Sequence, residues 1–190
     1  MRPLYAFIVQ TVDGYFEGAN GEFDWPNVDD EFNEFAIEQL DRTDMLLFGK
    51  RTYEGMAAFW PTDEALESDP AVAKRMNEIP KIVFSTTLDR ADWQNTRLVR
   101  DDVAATVQAL KNEKGQELAI FGSLDLTANF LRLGLIDELR IMIHPIILGA
   151  GHSVFGALGG ERVPVTLTDS HIFKSGNVML HYRPAAHEEA

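Results

Sequence analysis

The sequence has no cysteine. Disulfides, a cysteine nucleophile and cysteine-ligated zinc are therefore excluded. Basic residues are scarce: 17 Lys and Arg stand against 30 Asp and Glu, a net charge of −13 over 190 residues. The densest basic group is the pair Lys50-Arg51. A nucleic-acid binder needs a basic face, so no nucleic-acid partner is expected. Any anionic ligand must be held by local donors, since distant charge is screened beyond about 8 Å. No apolar run is long enough to cross a bilayer. The first run, Leu4–Val9, reads as a core strand and not as a leader peptide. The expectation is a cytoplasmic protein with no membrane partner. No Gly-x-Gly-x-x-Gly follows that run, and no internal repeat or low-complexity stretch appears. The histidines number 5. No pair has helical metal spacing, so no metal site is expected.

What is present is ordinary for a globular chain: 45% hydrophobic and 25% charged residues. The length fits one domain over residues 1–185, with a frayed Ala/Glu-rich tail at 186–190. Four short runs, Leu4–Val9, Met45–Phe48, Ile82–Phe84 and Leu118–Phe121, are apolar at nearly every position. Strands buried on both faces look like this, as in a parallel sheet between helix layers. Residues 29–40, 103–113 and 124–133 read as helices. Residues 61–70 are polar and read as a surface loop. In the last third, Leu139, Ile141 and Ile143, then Val163, Val165 and Leu167, then Val178, Leu180 and Tyr182, alternate with other residues. Alternation marks strands with one wet face. Ser175-Gly176-Asn177 is a turn that makes the last two strands an antiparallel hairpin. The expected fold is α/β, with a mostly parallel central sheet in three layers and antiparallel C-terminal strands.

Three segments could carry chemistry. Phe48-Gly49-Lys50-Arg51-Thr52-Tyr53 runs from strand to helix. Free amides at a helix start attract anions, and two cations with a hydroxyl suit phosphate; a solvated helix start with incidental charge explains it as well. Ile120-Phe121-Gly122-Ser123-Leu124 repeats the pattern, with Ser123 as a candidate N-cap. Both junctions lie at carboxyl ends of strands, where open α/β sheets bind ligands, and two helix starts could share one pyrophosphate. The third segment, Gln10-Thr11-Val12-Asp13-Gly14-Tyr15-Phe16, with Trp25 beyond it, is either a structural turn or a loop over a ligand.

These segments, in this order, resemble the dihydrofolate reductase superfamily. The nearer likeness is to the C-terminal reductase domain of the bifunctional riboflavin-biosynthesis deaminase–reductase. Gly134-Leu135-Ile136-Asp137-Glu138-Leu139-Arg140 and Pro145-Ile146-Ile147-Leu148-Gly149-Ala150-Gly151 share in it. The zinc deaminase signature of that protein requires cysteine, so the resemblance is to a reductase unit standing alone. It implies NADPH-dependent reduction of a small heterocycle, a 5-amino-6-(5-phosphoribosylamino)uracil or a pterin. It implies nicotinamide contacts at Val9 and Phe16, and pyrophosphate and 2′-phosphate contacts at Gly49, Lys50, Arg51 and Thr52. Ser85 and Thr86 fall beside the adenosine phosphate. Phe121, Gly122, Ser123 and Leu124 complete the cofactor set. Gly122-Ser123 matches a Gly-Gly pair that carries a cis peptide in dihydrofolate reductase, and Ser leaves that isomer open. Asp13 and Trp25 are the candidate substrate contacts. The substrate-binding carboxylate of the first helix maps to Asp30 when counted from Trp25, and to Asn33 when counted from Gly49. A dinucleotide-binding protein of the same fold without reductase activity is the alternative, and a structural dimer without ligand is a third. Leu139, Ile141, Ile143, Ile146 and Ile147 offer more apolar surface than one buried face uses. With the resemblance, that implies a homodimer through the C-terminal third.

Overall fold

The computed structural model describes residues 1–185. The tail at 186–190, expected to be frayed, lies outside the described residues. In chain order the elements are β1 (Leu4–Thr11), β2 (Tyr15–Glu17), α1 (Asp30–Asp41), β3 (Thr43–Gly49), α2 (Lys50–Phe59), α3 (Asp63–Ser68), α4 (Pro70–Glu78), β4 (Lys81–Phe84) and β5 (Thr96–Val99). Then follow α5 (Val103–Asn112), β6 (Glu117–Phe121), α6 (Leu124–Arg132), β7 (Glu138–His144), β8 (His152–Ser153), β9 (Val165–Ile172) and β10 (Val178–Pro184). Eight strands form one sheet in the order β5-β4-β3-β6-β1-β7-β10-β9. The pairs from β5 to β7 are parallel, and β10 runs antiparallel to both β7 and β9.

Strand periodicity sorts the core into two layers. Leu4, Ala6 and Ile8 of β1 face Val107 and Leu110 of α5 and Phe130 and Leu131 of α6. Tyr5, between them, faces Leu40 of α1, Tyr53 of α2, and Val72 and Met76 of α4. The result is the three-layer arrangement expected from the four apolar runs, each of which is a parallel strand. The turn at Ser175-Gly176-Asn177 also forms. The Gly176 N–H donates to Phe173 at 3.0 Å and the Phe173 N–H to Asn177 at 2.9 Å.

The structure corrects three expectations. Residues 61–70 are not a loop: they hold α3 and the start of α4. Thr62 and Asp69 cap them, accepting from the Ala65 and Val72 N–H groups, and Pro70 opens α4. Their polarity reflects exposure, since only Ala65 of α3 is buried. Strand β5 went unseen because four residues, Thr-Arg-Leu-Val, are too few to show a period. Alternation over 163–168 implied one wet face, whereas all eight residues of β9 are exposed. The strand is the sheet's outer edge.

Lys81 opens β4 yet is fully buried, because its ammonium closes α4. Nζ donates to the carbonyls of Met76, Asn77 and Ile79 at 2.8, 3.0 and 2.6 Å, satisfying carbonyls that a helix end leaves open. Burial pushes its pKa down to about 8.

Candidate functional site

Two helices start side by side where β3 and β6 end. Gly49 leads into α2, and Gly122-Ser123 leads into α6. Ser123 does not cap its own helix, contrary to the sequence expectation. Its Oγ accepts from the Gly49 N–H at 3.1 Å, and its N–H donates to Thr52 Oγ1 at 3.1 Å. The two junctions are thus tied to each other, and no side chain caps either helix. The first-turn amides of both helices remain available to an anion. Gly122 and Ser123 both have positive φ, 61° and 46°. The peptide bond between them is trans, which settles the isomer left open above.

These junctions floor a cleft of about 1750 Å³. A single small ligand usually occupies roughly 300–1000 Å³, so two molecules fit. Every cofactor contact named from the sequence lines the cleft: Val9, Phe16, Gly49 through Thr52, Ser85, Thr86, and Phe121 through Leu124. The Cβ that Gly122 lacks would stand 3.4 Å from Phe16 Cζ and 3.6 Å from Thr52 Cγ2. Gly49 has an ordinary φ of −80°. Its sharp turn needs no special freedom, and its value is the open space at the start of α2.

The cations differ in how free they are. Arg51 Nη2 lies 2.6 Å from Glu17 Oε1, and the same oxygen is 2.9 Å from His152 Nδ1. Lys50 Nζ reaches Thr87 Oγ1 at 3.4 Å. Arg100, just after β5, donates to the carbonyls of Thr86 at 3.4 Å and Asp89 at 3.0 Å, and it too lines the cleft. Sequence reasoning missed Arg100 because β5 was not recognised.

The candidate substrate contacts fall elsewhere. Asp30 is exposed at the first position of α1 and does not line the cleft. The cleft-facing stripe of α1 is Phe32, Asn33, Ala36, Gln39 and Leu40. At 100° per residue Asp30 lies about 120° away from its centre. Of the two sequence counts, the structure brings Asn33 to the site. Asp13 braces loops: it accepts from Thr11 Oγ1 at 2.7 Å and from the N–H groups of Leu148 and Gly149 at 3.2 and 2.7 Å. The Thr11 hydroxyl above all holds its carboxyl below the ordinary range. Trp25 stands behind the cleft wall. Its ring centroid is 5.5 Å from that of Phe23, which does line the cleft, and 5.3 Å from that of His144.

The four histidines among the described residues have structural partners, His152 through Glu17 as given above. Burial pushes the His144 pKa down to about 4, so the ring is neutral at physiological pH. Its Nδ1 accepts from the Asn27 N–H at 3.1 Å. His171 pairs with Glu31 at 3.5 Å and His181 with Glu138 at 2.5 Å. Among the described residues, no group of three or more His, Asp or Glu could hold a metal ion. No helix among them is long and apolar enough to cross a membrane.

Comparison with known proteins agrees with this architecture. The chain is 31% identical over 183 residues to the uncharacterized protein YyaP of Bacillus subtilis (strain 168), covering 95% of this chain and 94% of the relative. A solved structure from Shewanella sp. PV-4, whose name refers it to riboflavin biosynthesis, matches with a TM-score of 0.72 and 26% identity, over 96% of this chain and 99% of that one. The dihydrofolate reductase of Enterococcus faecalis, solved with NADP(H), matches with a TM-score of 0.61 at 14% identity, over 96% of each chain. The family described as the RibD C-terminal domain matches residues 2–181. The chain belongs to the RibD C-terminal domain family and has the dihydrofolate reductase-like fold.

Proposed function

We propose that this protein is an NADPH-dependent reductase of a small heterocycle. The observation that carries the reading is one continuous cleft with unlike halves. At one end, two uncapped helix starts and Lys50, Arg51 and Arg100 gather anion donors. At the other stand aromatic and aliphatic side chains. Phe23, Val28 and Phe59 line it while remaining 48%, 54% and 42% exposed, and exposed apolar groups clustered in a cleft mark a ligand surface.

The residues present fit the dinucleotide. First-turn amides of α2 and α6 would hold the pyrophosphate, with Thr52 and Ser123 fixing the two helices against each other. Ser85, Thr86, Lys50 and Arg100 would hold the 2′-phosphate, and Val9 and Phe16 would flank the nicotinamide. Gly122 leaves the cradle that a Cβ would fill. When bound, NADPH supplies a hydride. The protein's part is to orient the two ligands and to exclude water with the apolar wall.

Oxidation of NADPH in the presence of pterins and aminopyrimidine ribosides tests the reading. Turnover with one ring class is expected. Tight NADPH binding without oxidation by any of them would favour the alternative, a dinucleotide-binding protein without reductase activity. That alternative draws on Asn33, an amide, facing the cleft where Asp30 does not.

The same reading includes a homodimer in the cytoplasm, formed through the C-terminal third. The surface differs in part from the one expected. Leu139 and Ile141 are only 3% and 6% exposed, covered by the chain's own helices, and Ile143 and Ile146 are half-buried, but Ile147 is 71% exposed, and Val165, Leu167 and Ile172 of β9 are 43%, 52% and 74% exposed. An open edge strand with apolar side chains is a site for pairing. Light scattering should report twice the 21.3 kDa chain mass. Leu167→Lys should shift the protein to monomer; a monomeric wild type at micromolar concentration refutes the dimer.

A further inference from the structure

Behind the cleft wall, an apolar sheet face ends in two polar side chains. Met142 of β7 and Met179 of β10 are paired across the strands and pack with Phe173, Phe32 and Phe35 on the α1 side of the sheet. Side chains alternate between faces along a strand. His144, two residues beyond Met142, and Asn177, two residues before Met179, therefore fall opposite each other on that same face. They are 1% and 0% exposed. Both reach the backbone of Asn27. The Asn27 N–H donates to His144 Nδ1 at 3.1 Å, and the Asn27 carbonyl accepts from Asn177 Nδ2 at 3.0 Å. Among the described residues, these are the only hydrogen bonds made by segment 23–28.

Each of the two side chains has a second polar atom. His144 Nδ1 accepts from an N–H and so carries no proton. The neutral ring must then hold its proton on Nε2. His144 Nε2 is thus a buried donor and Asn177 Oδ1 a buried acceptor, and neither has a hydrogen-bond partner among the described residues. Two neighbouring atoms share that condition. One is Trp25 Nε1, whose ring centroid lies 5.3 Å from that of His144. The other is Ser175 Oγ, in the turn that Phe173 and Asn177 close. Bare polar groups in an interior are costly. Two N–H donors, a carbonyl acceptor and a hydroxyl call for an occupant that both accepts and donates. A metal ion does not fit, because the histidine nitrogen that remains presents a proton and not a lone pair. A water does, since buried waters make two to four hydrogen bonds to such groups.

We infer that His144, Asn177, Trp25 and Ser175 bind one buried water, which locks segment 23–28 against β7 and β10 and so sets the wall of the cleft. The water accepts from the His144 and Trp25 N–H groups and donates to Asn177 Oδ1 and Ser175 Oγ. It thereby holds the imidazole in the tautomer that accepts from Asn27, and the amide in the orientation that donates to it. Phe23 and Val28, at the two ends of the segment, line the cleft. Phe32 lines it too, with its ring centroid 6.3 Å from that of His144. His144 and Asn177 are positioning residues: they touch no ligand of the cleft and act through the segment they pin. The inference stands whatever the cleft binds.

Three measurements test it, two of them on the wild-type protein. A high-resolution crystal structure should show one ordered water within about 3.2 Å of both His144 Nε2 and Asn177 Oδ1. Nitrogen NMR of histidine-labelled protein should find His144 as the Nε2–H tautomer at neutral pH, with a cross-peak from that proton to a long-lived water. A merely structural histidine would give no such cross-peak. Asn177→Leu removes one bond to the water and one to Asn27. In that variant the Asn27 amide should exchange with solvent at least about tenfold faster than in wild type, while the amides of β1 and β7 keep their rates. A direct His144–Asn177 hydrogen bond, a dry gap between them, the Nδ1–H tautomer, or an Asn27 amide that exchanges in Asn177→Leu as in wild type would each overturn the inference. If Asn177→Leu does not fold, the two wild-type measurements decide alone.

Discussion

Gly122→Val should abolish NADPH binding while the chain still folds. Gly122 has φ of +61° at the end of a buried strand, a conformation costing a residue with a Cβ roughly 1–2 kcal/mol. A domain of this size has about 5–15 kcal/mol of stability to draw on, so the fold should survive. The site should not. The first added carbon would already stand 3.4 Å from the Phe16 ring, and the two γ-carbons of Val would enter the space between the helix starts. Gly122 and Ser123 also aim the first amides of α6, so any relief of the strain turns those donors away. A loss of at least about a hundredfold in NADPH affinity is expected, equivalent to about 2.7 kcal/mol. Circular dichroism should show the wild-type spectrum and calorimetry no measurable heat. Wild-type affinity would remove Gly122 from the site.

The second large effect concerns the choice between NADPH and NADH. Lys50 and Arg100 both reach the segment Ser85-Thr86-Thr87 after β4, where the 2′-phosphate would lie. A charge-assisted hydrogen bond contributes about 1.5–3 kcal/mol, or roughly ten- to a hundredfold. Lys50→Ala and Arg100→Ala should each weaken NADPH by that factor and leave NADH nearly unchanged. Arg51→Ala should do less, because Glu17 already holds its guanidinium at 2.6 Å. This reverses the order suggested by side-chain chemistry alone, in which the forked donors of Arg51 outrank the point charge of Lys50. Titration of the three variants with each dinucleotide, at fixed salt, checks the ranking. Equal losses for NADPH and NADH would place these cations elsewhere than the 2′-phosphate.

The ranking illustrates what the sequence could show. Both strand–glycine–helix junctions were legible, because a buried parallel strand is a continuous apolar run and glycine punctuates it. Their partnership was not: Ser123 looked like a cap for its own helix, and only the sheet order, with β3 beside β6, brings it to Gly49 and Thr52. Long-range pairs such as Arg51–Glu17 leave no local trace. Asp30 failed for a different reason. Counting from neighbouring motifs gives a position to within a few residues, and on a helix three residues decide which face a side chain takes. The stripe Phe32, Asn33, Ala36, Leu40 could have found Asn33, since a polar residue inside an apolar stripe asks for a partner. The edge strand β9 shows the opposite limit: alternation marks a strand, but not whether its apolar face is covered.

The central claim is that the cleft is a dinucleotide site, and calorimetric titration of the wild-type protein with NADPH tests it most directly. One NADPH per chain is expected, bound at least about tenfold more tightly than NADH, given the worth of one charge-assisted hydrogen bond. Absence of binding by either dinucleotide, or equal affinity for both, would contradict the account.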